Sequence, residues 1–456
     1  MTELIELAIV GAGPAGMAAA IEAQQLGIET LLIDSALAPG GQVYRQTPSE
    51  FGDSLQPGAR KLLTQLTRAN IPIYRDTTVW GIFPEEDYHL LCLYGPDEVP
   101  RRVLAKTVIL ATGAYERPTP FPGWTLPGVM TVGAALILVK HQHILPGRRI
   151  LISGTGPLSW LLAHKLIEAG AEMVKILDAN PFPWQGWRYI PRFWGQGERL
   201  KEGLDAILAM WRTGQMVRWG QMVSSAHGND RVESATFGRM DGSNSQTIRV
   251  DTLCLGYGFV PAFQLSRQAG AEHNFDANLG SWVPIRDEWL ETTVPRIFAA
   301  GDGAGIGGKD TALCEGQLSA LGVARILGKK ISPACVTQVQ RNLQRQKRFA
   351  DMLNTLFPFP IQTLDLLTDQ TYICRCEGVR VADIRQMISE GATTLGILRK
   401  LTRAGMGRCQ GRFCGHTLAA ILFQETGQPI DQLALPTPRP PVMPIPLHGL
   451  ADHEKN

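Results

Sequence analysis

The turn Gly11-Ala12-Gly13-Pro14-Ala15-Gly16 constrains this chain more than any other feature. It stands between a short apolar run, Leu4–Val10, and an Ala-rich stretch at 17–26 that suits a helix. Residues 29–34 (ETLLID) then read as a second buried strand. Together they form a βαβ unit of roughly thirty residues. Gly11 allows the tight turn, Gly13 lets a pyrophosphate approach the backbone, and Gly16 lets the helix pack closely on the strand. The helix that starts at Pro14 and Ala15 offers free N–H groups and its dipole to phosphate. Asp34 ends the second strand, where a carboxylate accepts from a ribose 2′-OH. With strand, helix and acid all in place, the unit predicts a bound dinucleotide.

A second glycine turn repeats the spacing at Gly154-Thr155-Gly156-Pro157-Leu158-Ser159. A strand at 149–153 (RILIS) precedes it; a helix at 161–169 and a strand at 174–178 (VKILD) follow. Ser159 replaces the third Gly, which loosens the helix–strand contact. The architecture repeats, but the ligand stays open. Gly154 and Gly156 bind a second nucleotide, ATP or NAD, or the fold is kept with its site repurposed.

Composition narrows the class. Lys and Arg number 44 against 42 Asp and Glu, a formal net charge of +2, so the clustered basic surplus of a nucleic-acid binder is missing. A hydrophobic fraction of 44% with 19% charged residues describes a globular chain, not a disordered one. Eight Cys in 456 residues make no disulfide scaffold. Residues 1–6 carry two Glu and no basic cluster, unlike a signal or transit peptide, and the apolar stretch 132–139 is too short to span a bilayer. The expected location is cytoplasmic, with peripheral attachment at the inner membrane through a partner as the variant.

Two further strands end in small residues: 107–113 (TVILATG) and 296–302 (RIFAAGD), the latter followed by the Gly-rich stretch 303–309. These segments resemble flavoprotein reductases with two dinucleotide-binding domains, the glutathione- and thioredoxin-reductase superfamily. The resemblance implies an α/β fold with two Rossmann-like dinucleotide-binding domains and FAD in the first. It gives Asp302, next to Gly301, the flavin ribityl chain, and it adds Gly41, Gln42, Thr112 and Gly113 to the FAD site. The family order implies an FAD domain split between 1–120 and 250–330, with the second nucleotide-type domain at 121–249. Pro118, Pro120, Pro122 and Pro127 mark the first crossing as a hinge-like linker. The disulfide reductases carry a Cys pair beside the flavin. Here Cys92, Cys254, Cys314 and Cys335 are isolated and read as buried small apolar residues.

The other four Cys form two close pairs: Cys374-Arg375-Cys376, then Cys409 and Cys414 with four residues between them. Four thiolates in this pattern suit zinc or an iron–sulfur cluster, with free thiols the remaining reading. C-x-C is less common in structural zinc sites, and Arg375, Arg408 and Arg412 flank the ligands as cations that raise the potential of an anionic cluster. Apolar residues at helical spacing over 379–401 set the ligand loops on short helices. The loops resemble the bacterioferritin-associated-ferredoxin domain, a small helical [2Fe-2S] binder. That gives a domain at 372–430, after a helical linker at 331–371 and before a Pro-rich tail at 431–456.

The order of units resembles the larger subunit of heteromeric amine dehydrogenases: opine oxidase, D-hydroxyproline dehydrogenase and hydrogen cyanide synthase. The most specific parts are 41–45 (GQVYR), 111–118 (ATGAYERP) and the cysteine loops. In that family a second flavoprotein subunit, of the D-amino-acid-oxidase type, oxidises the C–N bond. The resemblance implies a hetero-oligomer in which this chain passes electrons through FAD and the cluster to a respiratory acceptor, with no catalytic base of its own. The rival reading is a stand-alone NAD(P)H-dependent reductase, for which Asp178 favours NAD over NADP. A third is a scaffold subunit whose nucleotides are structural.

Several features carry a bland and a functional reading side by side. Trp184, Trp187, Trp194, Trp211 and Trp219 suit an interface or packing under a long loop. The acid-free cations of the helix region (Arg325, Lys329, Lys330, Arg341, Arg345, Lys347, Arg348) suit a solvated face more than an acidic partner. The stretch 436–446 (PTPRPPVMPIP) is extended and suits wrapping a neighbour. His141 and His143 receive no metal role.

Overall fold

The computed structural model describes residues 4–46, 57–96, 102–184, 188, 214, 216–433 and 436–450. Leu4–Val10 is central in the first sheet. It pairs in parallel with Thr30–Ile33 on one side and with Arg102–Leu110 on the other. Ile73–Tyr74 extends the first edge, also in parallel. On the other edge Arg102–Leu110 is shared between two neighbours. Its first half pairs antiparallel with His89–Tyr94, which continues to Thr78–Pro84. Its last three residues pair in parallel with Ile297–Ala299, so the late chain returns to the first sheet.

The central strands are apolar on both faces because both faces are covered. Leu7, Ile9 and Leu32 pack under Met17, Ala20, Val323 and Ala324. Ala8, Val10, Leu31 and Ile33 point the other way, onto Val79, Ile82 and Leu91. The helices Pro14–Gln25 and Lys309–Ile326 cross at Gly316, where a Cβ would stand 2.1 Å from the Ala15 carbonyl oxygen.

The second sheet is wholly parallel, in the order Val217–Trp219, Met173–Asp178, Arg149–Gly154, Thr252–Gly256, Val129–Thr131. One face packs on the helices Val132–His141 and Pro157–Glu168 through Ile150, Ile152, Val132 and Leu162. The other packs on the antiparallel sheet Gln221–His227, Ser234–Arg239, Gln246–Arg249 through Leu151, Leu177, Val223 and Phe237. Two Rossmann-like units therefore share one chain. The proline-marked crossing between them is packed: Arg117, Thr119, Pro120 and Phe121 are all buried.

The helix Pro333–Leu356 lies on Lys309–Ile326 through Val339, Leu343, Leu318 and Leu321. Arg341, Arg345 and Arg348 face outward from it, while Lys347 turns inward and pairs with Glu315. Arg325 stacks on Trp289, and Lys329 pairs with Glu6. The C-terminal unit is a two-stranded hairpin, Tyr372–Cys374 and Val379–Arg380, with helices Val381–Ser389, Leu395–Thr402 and Gly415–Thr426. Its core of Ile373, Val381, Ile384, Leu398, Leu418 and Leu422 also takes in Phe263 and Trp282, so it is docked on the rest of the chain. Among the described residues no helix is long and apolar enough to cross a membrane.

Candidate functional site

The first glycine turn sits at the C-terminal end of the parallel strands. A Cβ on Gly16 would lie 1.8 Å from the Gly11 carbonyl oxygen, so only Gly permits this approach of helix and strand. Asp34, half-buried, ties the turn down: one carboxylate oxygen accepts from the Ala12 N–H and the other from Ala36 N–H at 2.7 Å. That bonding holds the loop in addition to the ribose role the sequence suggests. Gly41 stands against Gly13, where its Cβ would be 2.9 Å from the Gly13 Cα. Gly301 reaches the Ala15 side chain, and Gly303 reaches Thr112 and Gly113 in the same way.

The structure thus gathers Gly11, Gly13, Pro14, Ala15, Gly16, Asp34, Gly41, Thr112, Gly113, Gly301 and Asp302 at one place. Gln42 turns outward, and its side-chain oxygen accepts from Arg45 at 2.8 Å. The centre is concave. A Cβ on Gly13 would meet only Gly41, at 3.9 Å, and none of Gly113, Gly305 and Gly308 has a described heavy atom within 4 Å of its Cβ position. A Gly-lined concavity at a helix N-terminus fits the pyrophosphate of a dinucleotide.

Asp302 is half-buried and accepts from the Gly307 and Gly308 N–H groups at 3.0 and 2.9 Å; desolvation raises its pKa. One acid under this site has no motif to announce it. Glu315 accepts from Gly301 N–H at 2.9 Å and pairs with Arg286 and Lys347, each at 3.1 Å. Burial pushes its carboxyl up, but the two cations outweigh that and hold it below the usual range.

The second turn has the same backbone and a different surface. Ser159 is buried. The neighbouring strand carries Gly256, and a Cβ there would come within 3.1 Å of the Ser159 hydroxyl oxygen. The missing side chain on one strand makes room for the added one on the helix. Asp178 is 1% exposed; it accepts from Gly156 N–H at 3.1 Å and Asn180 N–H at 3.0 Å, and burial pushes its carboxyl up to about 6. No ribose reaches a carboxylate so enclosed.

The face of this turn is also covered. Phe357, just past the helix Pro333–Leu356, stands over Gly156, 3.5 Å from its Cβ position. The Asn180 side-chain amide donates to the Pro358 carbonyl oxygen at 3.1 Å. Trp160 meets Phe357 and Trp219 edge-on, with centroids 5.7 and 5.8 Å away, and Phe182 closes on Trp219. Trp184 is exposed; Trp187, Trp194 and Trp211 lie outside the described residues.

None of the eight Cys is in a disulfide. Cys92 and Cys254 are buried as expected; Cys314 and Cys335 are only half-buried, under the packed helices. The four C-terminal Cys stand as two pairs across the loops, Cys374 with Cys414 and Cys376 with Cys409. The bond from Cys414, with N–H groups of Gly405, Glu377 and Cys376, pulls the Cys374 thiol down to about 5. Among the described residues no three Cys, His, Asp or Glu side chains converge on one point as ligands of a single ion. Paired sulfurs with N–H donors aimed at them have the donor chemistry of thiolate ligands, which serve an iron–sulfur cluster or zinc.

The Pro-rich tail lies on its own chain. Val442 is 1% exposed in the core of the first sheet, and its N–H donates to the Trp80 carbonyl oxygen at 2.8 Å. His141 is buried beside Lys140, Arg45 and His143, and burial pushes it down to about 4, which leaves it neutral.

Residues 5–317 match the pyridine nucleotide-disulphide oxidoreductase family, and residues 368–453 match the sarcosine oxidase A3 domain. The chain is 33% identical to an opine oxidase subunit from Agrobacterium tumefaciens, over 99% of this chain and 92% of the relative. It is also 33% identical to the hydrogen cyanide synthase subunit HcnB of Pseudomonas aeruginosa, over 96% of each chain. The L-proline dehydrogenase structure from P. horikoshii shares the fold, with a TM-score of 0.73 at 24% identity, over 99% of this chain and 80% of that one. The chain belongs to the pyridine nucleotide-disulphide oxidoreductase family and is an FAD-dependent oxidoreductase.

Proposed function

We propose that this chain is the electron-carrying subunit of a heteromeric dehydrogenase that oxidises the C–N bond of an amino acid or opine. The bond is oxidised on a partner flavoprotein subunit of the D-amino-acid-oxidase type, and the electrons leave to a respiratory acceptor. The contrast between the two glycine turns carries this reading. The first is a Gly-lined concavity, while the second is covered by Phe357 and keeps its acid buried. A nicotinamide cofactor has no seat at the second turn, so electrons come from a partner.

In this reading the first concavity holds FAD. Gly13, Gly41 and the helix N-terminus at Ala15 and Gly16 face the pyrophosphate, and Asp302 with Gly301 faces the ribityl chain. Cys374, Cys376, Cys409 and Cys414 hold [2Fe-2S]. When bound, the flavin supplies two-electron chemistry and the cluster one-electron chemistry. Glu315 fixes Gly301 from below, and its paired charge keeps that support ionised at neutral pH. The relatives' names, as subunits of opine oxidase and hydrogen cyanide synthase, support a role inside a larger complex.

Anaerobic titration of the purified chain with NADH and NADPH tests the proposal. The expected result is no bleaching of the flavin band by either, and full bleaching by dithionite. Rapid bleaching by a nicotinamide would establish the stand-alone reductase instead.

A further inference from the structure

The two redox sites of the proposed function belong to separate units of the chain, and one side chain ties them together. Arg412 lies between Cys409 and Cys414. Its guanidinium donates to the Cys409 carbonyl oxygen at 3.1 Å, which closes its own loop. It also donates to the Val442 carbonyl oxygen at 2.6 Å, on the tail that is anchored in the first sheet. Beside it, the Gln410 amide donates to the Pro441 carbonyl oxygen at 2.6 Å. The cysteine loop is thereby laced to a strap whose Val442 is buried in the core under the flavin-type site.

The opposite wall comes from that site itself. Two residues beyond Gly113, Tyr115 sits within electrostatic range of both Arg412 and Cys409. The strand Ala114–Glu116 is pinned by antiparallel pairing to Phe259–Pro261, and the Tyr115 hydroxyl accepts from Gln264. Arg412 is half-buried, and its guanidinium also meets the Met443 sulfur on the strap at 2.9 Å, so its fork spans loop and strap.

We infer that Arg412 is the positioning residue that fixes the cysteine loop to the C-terminal strap on the side that faces Tyr115, so that this junction is the crossing between the two redox sites. The inference rests on the FAD and [2Fe-2S] reading for its function, but the mechanical part stands on hydrogen bonds. A lysine keeps the charge and loses the two-way fork; a glutamine loses both.

The test compares wild type with Arg412→Lys and Arg412→Gln in the full chain. The first readout is hydrogen exchange of the 438–445 amides, which needs no cofactor. Both variants should exchange about tenfold faster there, with the first sheet unchanged. The second readout is the midpoint potential of the cysteine-bound centre, which should stay near wild type in Arg412→Lys and fall in Arg412→Gln. The third is the rate at which flavin-centred electrons reach that centre after anaerobic photoreduction, which should drop about tenfold in both. Tyr115→Leu should slow the same transfer with strap exchange unchanged. Wild-type exchange and transfer in both Arg412 variants, at full cofactor content, would overturn the positioning role alone. A wild-type chain that binds no flavin or no iron would overturn the functional reading first, and the crossing with it.

Discussion

The two glycine turns start from one plan and end with opposite surfaces. Each follows a buried strand, opens a helix with Pro and is backed by an Asp at the end of the next strand. They differ in how each buries a carboxylate and in what the rest of the chain lays over the turn. Beneath the first site Glu315 holds Gly301, and its charge is balanced by Arg286 and Lys347. The second is supported by Asp178, which among the described residues has only N–H and side-chain hydrogen bonds and no cation. Burial with paired charge holds one acid ionised, and burial without it pushes the other toward neutrality. The same fold therefore gives one turn built to face an anionic ligand and another built to be closed.

The largest effect is expected from filling the first concavity. Gly13 has φ −76°, which any residue adopts, and space in front of it. Gly13→Val should fold with little change in thermal midpoint and lose flavin affinity about 1,000-fold, roughly 4 kcal/mol. Equilibrium dialysis with FAD and a melting curve check both halves. Retained flavin would remove the first turn from the cofactor site. Next comes the support below it. Glu315→Gln leaves two cations near an uncharged amide and should cost about 3 kcal/mol in urea denaturation. The Glu315 pKa is depressed on folding, so its stabilisation is present above the unfolded value near 4.5 and is lost as pH falls below it. The wild type should weaken steeply on acidification through that window, and the variant should not.

Much of this is legible in the sequence because the chemistry is local. Gly11 to Asp34 falls within one βαβ unit, and both cysteine pairs announce themselves by spacing. The cover on the second turn is not local. Phe357 comes 201 residues after Gly156, and nothing in its own neighbourhood points back to a glycine turn. Glu315 is equally silent: its partners lie 29 residues before it and 32 after it. Ser159 alone reads as a weakened contact, and only its pairing with Gly256 on another strand shows the compensation. The thiols also pair across the two loops rather than within them, which spacing does not reveal.

Asp178 gives a smaller and opposite pH signature. Its folded pKa of about 6 lies above the unfolded value of 3.8. The fold binds its proton more tightly, so this contribution is fully present below about pH 4 and is lost as pH rises through about 6. Asp178→Asn removes that slope, and the stability of the variant relative to wild type should rise by about 2 kcal/mol between pH 4 and pH 7. Denaturation midpoints across that range measure it. A wild-type curve without the slope would mean that the second acid is charged and solvated, which breaks the contrast with the first turn.

The smallest perturbation decides the comparison most directly. Phe357 is half-buried, so Phe357→Ala should cost only about 1 kcal/mol, well below the loss at a fully buried Phe. The substitution takes the ring away from Gly156 and leaves only the Cβ, 3.5 Å from the Gly156 Cβ position, without touching the turn, the Asp178 hydrogen bonds or the first site. If the ring is what closes the second turn, calorimetry with ADP should show no binding to the wild type and measurable binding to the variant. Flavin content should be the same in both. NADH should still fail to reduce the flavin in the variant, because Asp178 stays enclosed. If the wild type binds ADP as well as the variant does, the ring is no cover, and the two turns differ in their acids rather than in access.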